Sequence, residues 1–176
     1  MKRNILISAA ALTAALYAPH VVAQKAPGEG GLNPIAADAK TRGLKGCVPT
    51  VNRFTAQLIG DGRYGAYPVA SGSETKDRLY NVVISRVLGG GVTQLVSLSV
   101  SPDAKCSVTY DIHTVWPLAC NQVAAQNFPS YQRATPMSGN VVMLQENPFK
   151  QVYLVPLPGG CMSMRKDTAF DPRSGS

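Results

Sequence analysis

Residues 108–120, V-T-Y-D-I-H-T-V-W-P-L-A-C, decide how the rest of the chain is read. They hold the only tryptophan, Trp116, and place His113 two residues after Asp111. A catalytic group and a plain strand are the two possibilities. Period-two alternation favours the strand. Val108, Tyr110, Ile112, Thr114 and Trp116 fall on one side, and Thr109, Asp111, His113 and Val115 on the other. The first set is expected to face the core. Asp111 and His113 then sit side by side on the more polar face, and Pro117 ends the strand because it cannot donate to a ladder.

Upstream, T-Q-L-V-S-L-S-V-S (93–101) alternates in the same way, with Val96, Leu98 and Val100 on one face. L-Y-N-V-V-I-S-R-V-L (79–88) is rich in β-branched residues, and G-G-G (89–91) and S-P-D-A-K (101–105) supply turns. P-T-V-N-R-F-T-A-Q-L-I-G (49–60) spaces Val51, Phe54 and Leu58 as a helix would, with Thr50 as cap and Gly60 as stop. Downstream, L-A-C-N-Q-V-A-A-Q-N-F suits a short helix before Pro129. Strands follow at 140–145 and 151–156, with a last short one around Cys161. The order α-β-β-β-α-β-β-β with short connections predicts an α+β domain. Its mostly antiparallel sheet has about five or six strands, and two short helices pack on one face.

The flanks read differently. Lys2 and Arg3, an apolar run from Ile5 to Ala18, and small residues at Val21 and Ala23 make residues 1–23 a signal peptide cut near Ala23/Gln24. The run is too short to span a bilayer, which takes ~20 apolar residues. The working chain is expected to be periplasmic or secreted and not membrane-spanning. Residues 24–46, rich in Gly, Ala and Pro, read as a flexible arm, and 167–176 as a flexible tail. That leaves 47–166 as one folded domain.

Cys47, Cys106, Cys120 and Cys161 form an even set in an exported chain, which implies two disulfides. Their spacing lacks the C-x-x-C pairs of a zinc site, so no metal and no cofactor are expected. Cys106 cannot reach Cys120 across a straight strand. Ten residues carry the chain roughly 33 Å, and four bring it back at most ~14 Å. If the second helix climbs back along the sheet, Cys106 and Cys161 share one end and Cys47 and Cys120 the other. The expected bonds are therefore Cys106–Cys161 and Cys47–Cys120.

The net charge of +7 falls to +5 without Lys2 and Arg3, and the excess forms no run or stripe. A nucleic-acid partner would need a concentrated basic face, so none is expected. Weak attraction to an anionic envelope surface fits the residual charge. Asp111 and His113 are candidate acid/base groups, but no third catalytic group accompanies them. S-x-x-K occurs at Ser73–Lys76 and Ser163–Lys166, and on a strand the latter pair points to opposite faces.

Two stretches look better suited to recognition. One is the long connection 60–78 with Arg63, Tyr64 and Tyr67; the other is 129–139 with Tyr131 and Arg133. Both set tyrosines and arginines among small residues. A share of one sheet end is expected for them. The sequence thus points to an exported, disulfide-stabilised binding module with a protein partner in the bacterial envelope or outside it. An inhibitor or immunity-type protein, or an accessory to secretion or adhesion, fits this description. The alternatives are an envelope-polymer hydrolase using Asp111 and His113, and a module binding anionic polysaccharide through Arg63 and Arg133.

Overall fold

The alternation of residues 108–116 is reproduced in three dimensions: Val108, Ile112 and Thr114 are buried, while Asp111 and His113 lie on the opposite face. The computed structural model describes residues 31–44, 46–60, 63–69, 79–89, 92–133, 137 and 139–169. Among these are three helices, α1 (Pro34–Thr41), α2 (Val48–Ile59) and α3 (Cys120–Asn127). The strands are β1 (Tyr64–Pro68), β2 (Tyr80–Val87), β3 (Thr93–Val100), β4 (Val108–Trp116), β5 (Gln132–Arg133), β6 (Val142–Asn147), β7 (Lys150–Leu157) and β8 (Gly160–Ala169). They form one antiparallel sheet in the order β1-β2-β3-β4-β8-β7-β6-β5. The α+β class with two disulfides holds. The strand count and the element order differ from the expectation.

Three elements account for the difference. β1 lies inside the stretch read as a long loop, because Y-G-A-Y-P carries no β-branched residue to announce a strand. β5 is only two residues long. The third element, α1, falls in the segment read as a flexible arm. Asn33 caps it through Oδ1, which accepts the Ala36 N–H at 2.9 Å, and Pro34 occupies the first turn. Gly43 closes it at φ 92°, a left-handed backbone that favours glycine. Ile35, Ala36, Ala39 and Leu44 are buried against the main core. Composition concealed this helix because its buried side chains are mostly alanines, which allow close approach without raising hydrophobicity. The remainder of the supposed arm, 24–30 and residue 45, lies outside the described residues, as do the leader and 170–176.

The tail reading is also corrected at its start. β8 runs ten residues to Ala169, with Asp167 buried, and it is a central strand between β4 and β7. Its inward residues, Ser163, Arg165 and Asp167, are polar, so the pattern carried no apolar signal. Gly160 opens it where a Cβ would collide with the Trp116 carbonyl.

The disulfides are Cys47–Cys106 and Cys120–Cys161, not the expected pairs. The reason is the path after α3. That helix does not return the chain to the start of β4. β6 begins at the end where β4 finishes, so β8 begins there too, and Cys161 faces Trp116 in the β4–β8 ladder. Cys120, four residues beyond Trp116, meets it. Cys47, at the N-terminus of α2, meets Cys106 at the opposite end. Two disulfides point to an oxidising, non-cytoplasmic compartment. Among the described residues no helix is long and apolar enough to cross a membrane.

All three helices cover one face. α1 and α2 bury a cluster on β1 to β4 that includes Val51, Tyr80, Val82, Ile84, Val96, Leu98 and Val108. α3 buries a smaller one with Val123, Leu144, Val152 and Leu154. Tyr80 ties α1 to β2: its hydroxyl lies 3.2 Å from the Ile35 carbonyl and 3.1 Å from Asp38 Oδ2. Burial, then the Asp38 charge, raises its pKa above the ordinary 10. Burial raises Tyr64 as well, and Tyr110 is pushed up to about 12 by burial and then by its hydrogen bond to Asp167.

Each of these phenols holds its proton to a higher pH in the folded chain than in the unfolded one. Their contribution is complete below pH 10 and is lost as pH rises above it. The urea midpoint is expected to be flat from neutrality to about pH 9 and to fall beyond pH 10. Tyr80→Phe should fall less steeply there, after a loss of about 1 kcal/mol at neutral pH from the missing hydrogen bonds. Equal alkaline slopes in parent and variant would remove Tyr80 as the cause.

Candidate functional site

The tyrosine and arginine candidates do not converge. Tyr64 is 3% exposed and belongs to the main core, so it cannot present its ring to a partner. Three residues on, Tyr67 is 70% exposed, and Arg63 is exposed at the start of the same edge strand. Residues 70–78 of that connection, including Ser73 and Lys76, lie outside the described residues. Tyr131 packs edge-on against Phe128 beneath α3, with ring centroids 5.6 Å apart. Arg133 falls on β5, at the far edge of the sheet from β1. Seven strand spacings, about 34 Å, separate the two groups. The expected shared end is not formed, because β2 starts at the end where β4 starts and β6 starts where β4 finishes, and β1 and β5 also close opposite edges.

Asp111 and His113 stand on the face that no helix covers. The Asp111 carboxylate pairs with Lys166 Nζ at 2.9 Å across the β4–β8 ladder. His113 lies between Leu95 on β3 and Met164 on β8. Ser163 and Lys166 do point to opposite faces: Ser163 accepts a hydrogen bond from Trp116 on the helix side, while Lys166 meets Asp111 on the open side. Among the described residues no group of three or more His, Cys, Asp or Glu comes together in a way that would hold a metal.

The open face divides into halves. Towards the start of β4 it is mostly polar, with Asn81, Ser97, Ser99, Thr109, Asp111, Lys166, Thr168 and Gln151 facing outward beside Val83. Towards its end, register aligns two apolar rows. Leu95, His113, Met164, Tyr153 and Met143 stand abreast on five adjacent strands. Beside them run Val87, Thr93, Val115, Met162 and Val155. Val87, Leu95 and Val115 are 61%, 47% and 56% exposed. The sequence signal was present in β3 and β4, whose outward parity carries Leu95 and Val115, but only the strand order joins them into a band.

The helix-covered face has a different feature. Between the C-terminal ends of α2 and α3 lies a cleft of about 320 Å³. Gln57 and Leu58 form one wall, Asn127 and Phe128 the other, and β2, β3, β4 and β8 the floor. The floor contains Arg86, Gln94, Thr114 and Ser163, which stand in line on four neighbouring strands. The flanking inward positions of β2, β3 and β4 are Ile84, Val96 and Ile112. Arg86 Nε donates to Gln94 Oε1 at 2.8 Å, and its Nη1 donates to the Leu58 carbonyl. Trp116 Nε1 donates to Ser163 Oγ at 2.8 Å. Arg165 enters from β8 with Nε 3.1 Å from Asp167 Oδ2 and its guanidinium 5.8 Å above the Tyr110 ring. Burial, and then the like charge of Arg165, lowers the pKa of Arg86.

No family model, no curated protein and no solved structure matches the chain.

Proposed function

We propose that the chain is an exported, disulfide-braced binding module, without a catalytic site of its own, that docks a protein partner on the open face of its sheet. The observation that carries this reading is the two-row apolar band across that face. Contiguous exposed apolar surface beside a polar region is the usual mark of an interaction surface. Met143, Met162 and Met164 give the band adaptable side chains. A lipid surface would call for basic residues around the band. Among the described strand residues that face outward here, Lys166 is the one Lys or Arg, and it is paired with Asp111; exposed Arg63, just before β1, adds a single cation at the edge of the sheet. An inhibitor or immunity-type role, or an accessory role in secretion or adhesion, would both use such a surface. The hydrolase alternative loses ground because Asp111 is engaged by Lys166 and His113 has only Leu95 and Met164 across the ladder. The polysaccharide alternative through Arg63 and Arg133 loses ground because the two lie on opposite edges.

The test is capture from envelope extract followed by a measured Kd for the protein captured. Leu95→Lys with Val115→Lys puts two charges into the band at exposed positions where the fold tolerates them. The double variant is expected to keep its circular dichroism spectrum and to bind at least tenfold more weakly, about 1.4 kcal/mol. Parental affinity in the folded double variant rejects the surface. Reversible dimerisation of the parent, abolished by the same two changes, would make the partner a second copy of the chain.

A further inference from the structure

On the opposite side of the sheet, we propose that the cleft between α2 and α3 is a binding site for a small carboxylate, held by Arg86 and Arg165. The site is independent of the protein-docking face. Three observations converge on it.

The first is where the polar residues stand. Arg86, Gln94, Thr114 and Ser163 occupy inward positions on central strands, where the neighbouring positions of β2 to β4 carry Ile and Val. A polar row beneath helices costs stability unless each group finds a partner. Arg86, Gln94 and Ser163 find protein partners, and the open cleft leaves room for a ligand at the hydrogen-bonding capacity that remains.

The second is the direction of the hydrogen bonds. Gln94 Oε1 already accepts from Arg86, so the NH₂ group remains the donor of a residue that lines the cleft. Ser163 Oγ already accepts from Trp116, so the hydroxyl is left to donate. With the guanidiniums, the floor presents donors. Donors set beside two guanidiniums favour an oxyanion over a neutral or cationic group.

The third is charge. Among the described residues, only one of the two guanidiniums lining the cleft, that of Arg165, is paired with a carboxylate, Asp167. Among the described residues Arg86 meets only neutral acceptors, the Gln94 amide and the Leu58 carbonyl. One positive charge is therefore unmatched in a partly desolvated cleft. A single negative charge balances it, which selects a monocarboxylate over a phosphate dianion. The planar guanidinium fork fits a carboxylate with two parallel hydrogen bonds. The volume, about 320 Å³, suits a ligand of monosaccharide or amino-acid size. Gln57 and Asn127 at the walls would meet hydroxyl or amide groups on its body.

Trp116 is the only tryptophan and lines this cleft, so its fluorescence reports occupancy directly. The probes are acetate, benzoate and glucuronate at constant ionic strength, with glucose as the neutral control and inorganic sulfate as the dianion. A saturable change with at least one carboxylate and none with glucose is expected. Arg86→Lys keeps the charge and loses the fork; it should weaken the binding at least tenfold. Arg165→Gln should weaken it at least as much if the variant folds. The proposal is overturned if no carboxylate gives a saturable change, if sodium chloride reproduces it, or if Arg86→Lys binds as the parent does. Tighter binding of sulfate than of every carboxylate would overturn the choice of a monoanion.

Discussion

Replacing Cys47 and Cys106 together by alanine is expected to lower the stability of the folded chain by about 4 kcal/mol. The estimate follows from the entropy of closing a loop whose ends are 59 residues apart. That is a large share of the 5–15 kcal/mol typical of a domain. The position of the bond supports a global effect. Cys47 stands at the N-terminus of α2, whose buried residues Val48, Val51, Phe54 and Leu58 belong to the larger core cluster. Cys106 stands in the turn between β3 and β4, where Asp103 organises the backbone by accepting the N–H groups of Lys105 and Ser107. The bond joins the helical layer to the sheet at one end. The Arg86 contact with the Leu58 carbonyl joins them at the other. Urea unfolding of the parent and the double variant measures the difference. A variant with the parental midpoint would show that the bond constrains little. A tryptic peptide linking residue 106 to 161 under non-reducing conditions would show that the pairing itself is otherwise.

The pairing shows where the sequence stops being informative. Strand parity in 80–87, 93–100 and 108–116 was legible because alternating side chains have a fixed period and Val, Ile and Leu mark the buried side. The same period gave the length of β4 and excluded Cys106–Cys120. What parity cannot give is the direction in which α3 leaves the sheet. α3 spans eight residues, about 12 Å, and does not carry the chain back along β4. That one turn of the path moves Cys161 from one end of the sheet to the other and exchanges both partners. β8 was read as short for a related reason. A central strand whose inward side carries Ser163, Arg165 and Asp167 has no apolar signature, although it is the strand that unites the two halves of the sheet.

The candidate sites divide along the same line. Thr114 was placed on the inward side of its strand by alternation, and Arg86 and Gln94 share the parity of Ile84 and Val96 in theirs. Each is a polar residue at an inward position, which is the signal that a reading of loops passed over. That they stand abreast with Ser163 depends on register and strand order, and no local pattern encodes either. Loop composition misled in the other direction. R-Y-G-A-Y-P resembles an adaptable recognition loop, yet pairing with β2 makes it an edge strand and sends Tyr64 into the core while Tyr67 faces solvent.

The segment read as a flexible arm yields the second large effect. Leu44→Ala is expected to destabilise the chain by about 3 kcal/mol, within the range found for truncating a buried leucine. Leu44 is fully buried and belongs to the larger cluster, with Ile35, Ala36 and Ala39. Its N–H also donates to the Ala39 carbonyl, so the residue is fixed by the end of α1. The helix is in turn fastened to α2. Asn33 Nδ2 lies 2.6 Å from Thr55 Oγ1, and the Asn33 N–H lies 2.8 Å from Asn52 Oδ1. An eight-residue helix has little stability alone, since nucleation outweighs so few propagating residues. Packing must hold it, and Leu44 and Ile35 are the large aliphatic side chains that this segment contributes. The removed volume cannot be refilled by the small neighbours Ala36 and Ala39, so the cavity term persists. Lys40→Ala, on the exposed side of α1, serves as the control and should stay within about 0.5 kcal/mol of the parent. The measurement is the urea midpoint of the two variants against the parent. If Leu44→Ala unfolds at the parental midpoint, residues 33–44 do not belong to the cooperative core, and the arm extends to residue 46 as the sequence suggested.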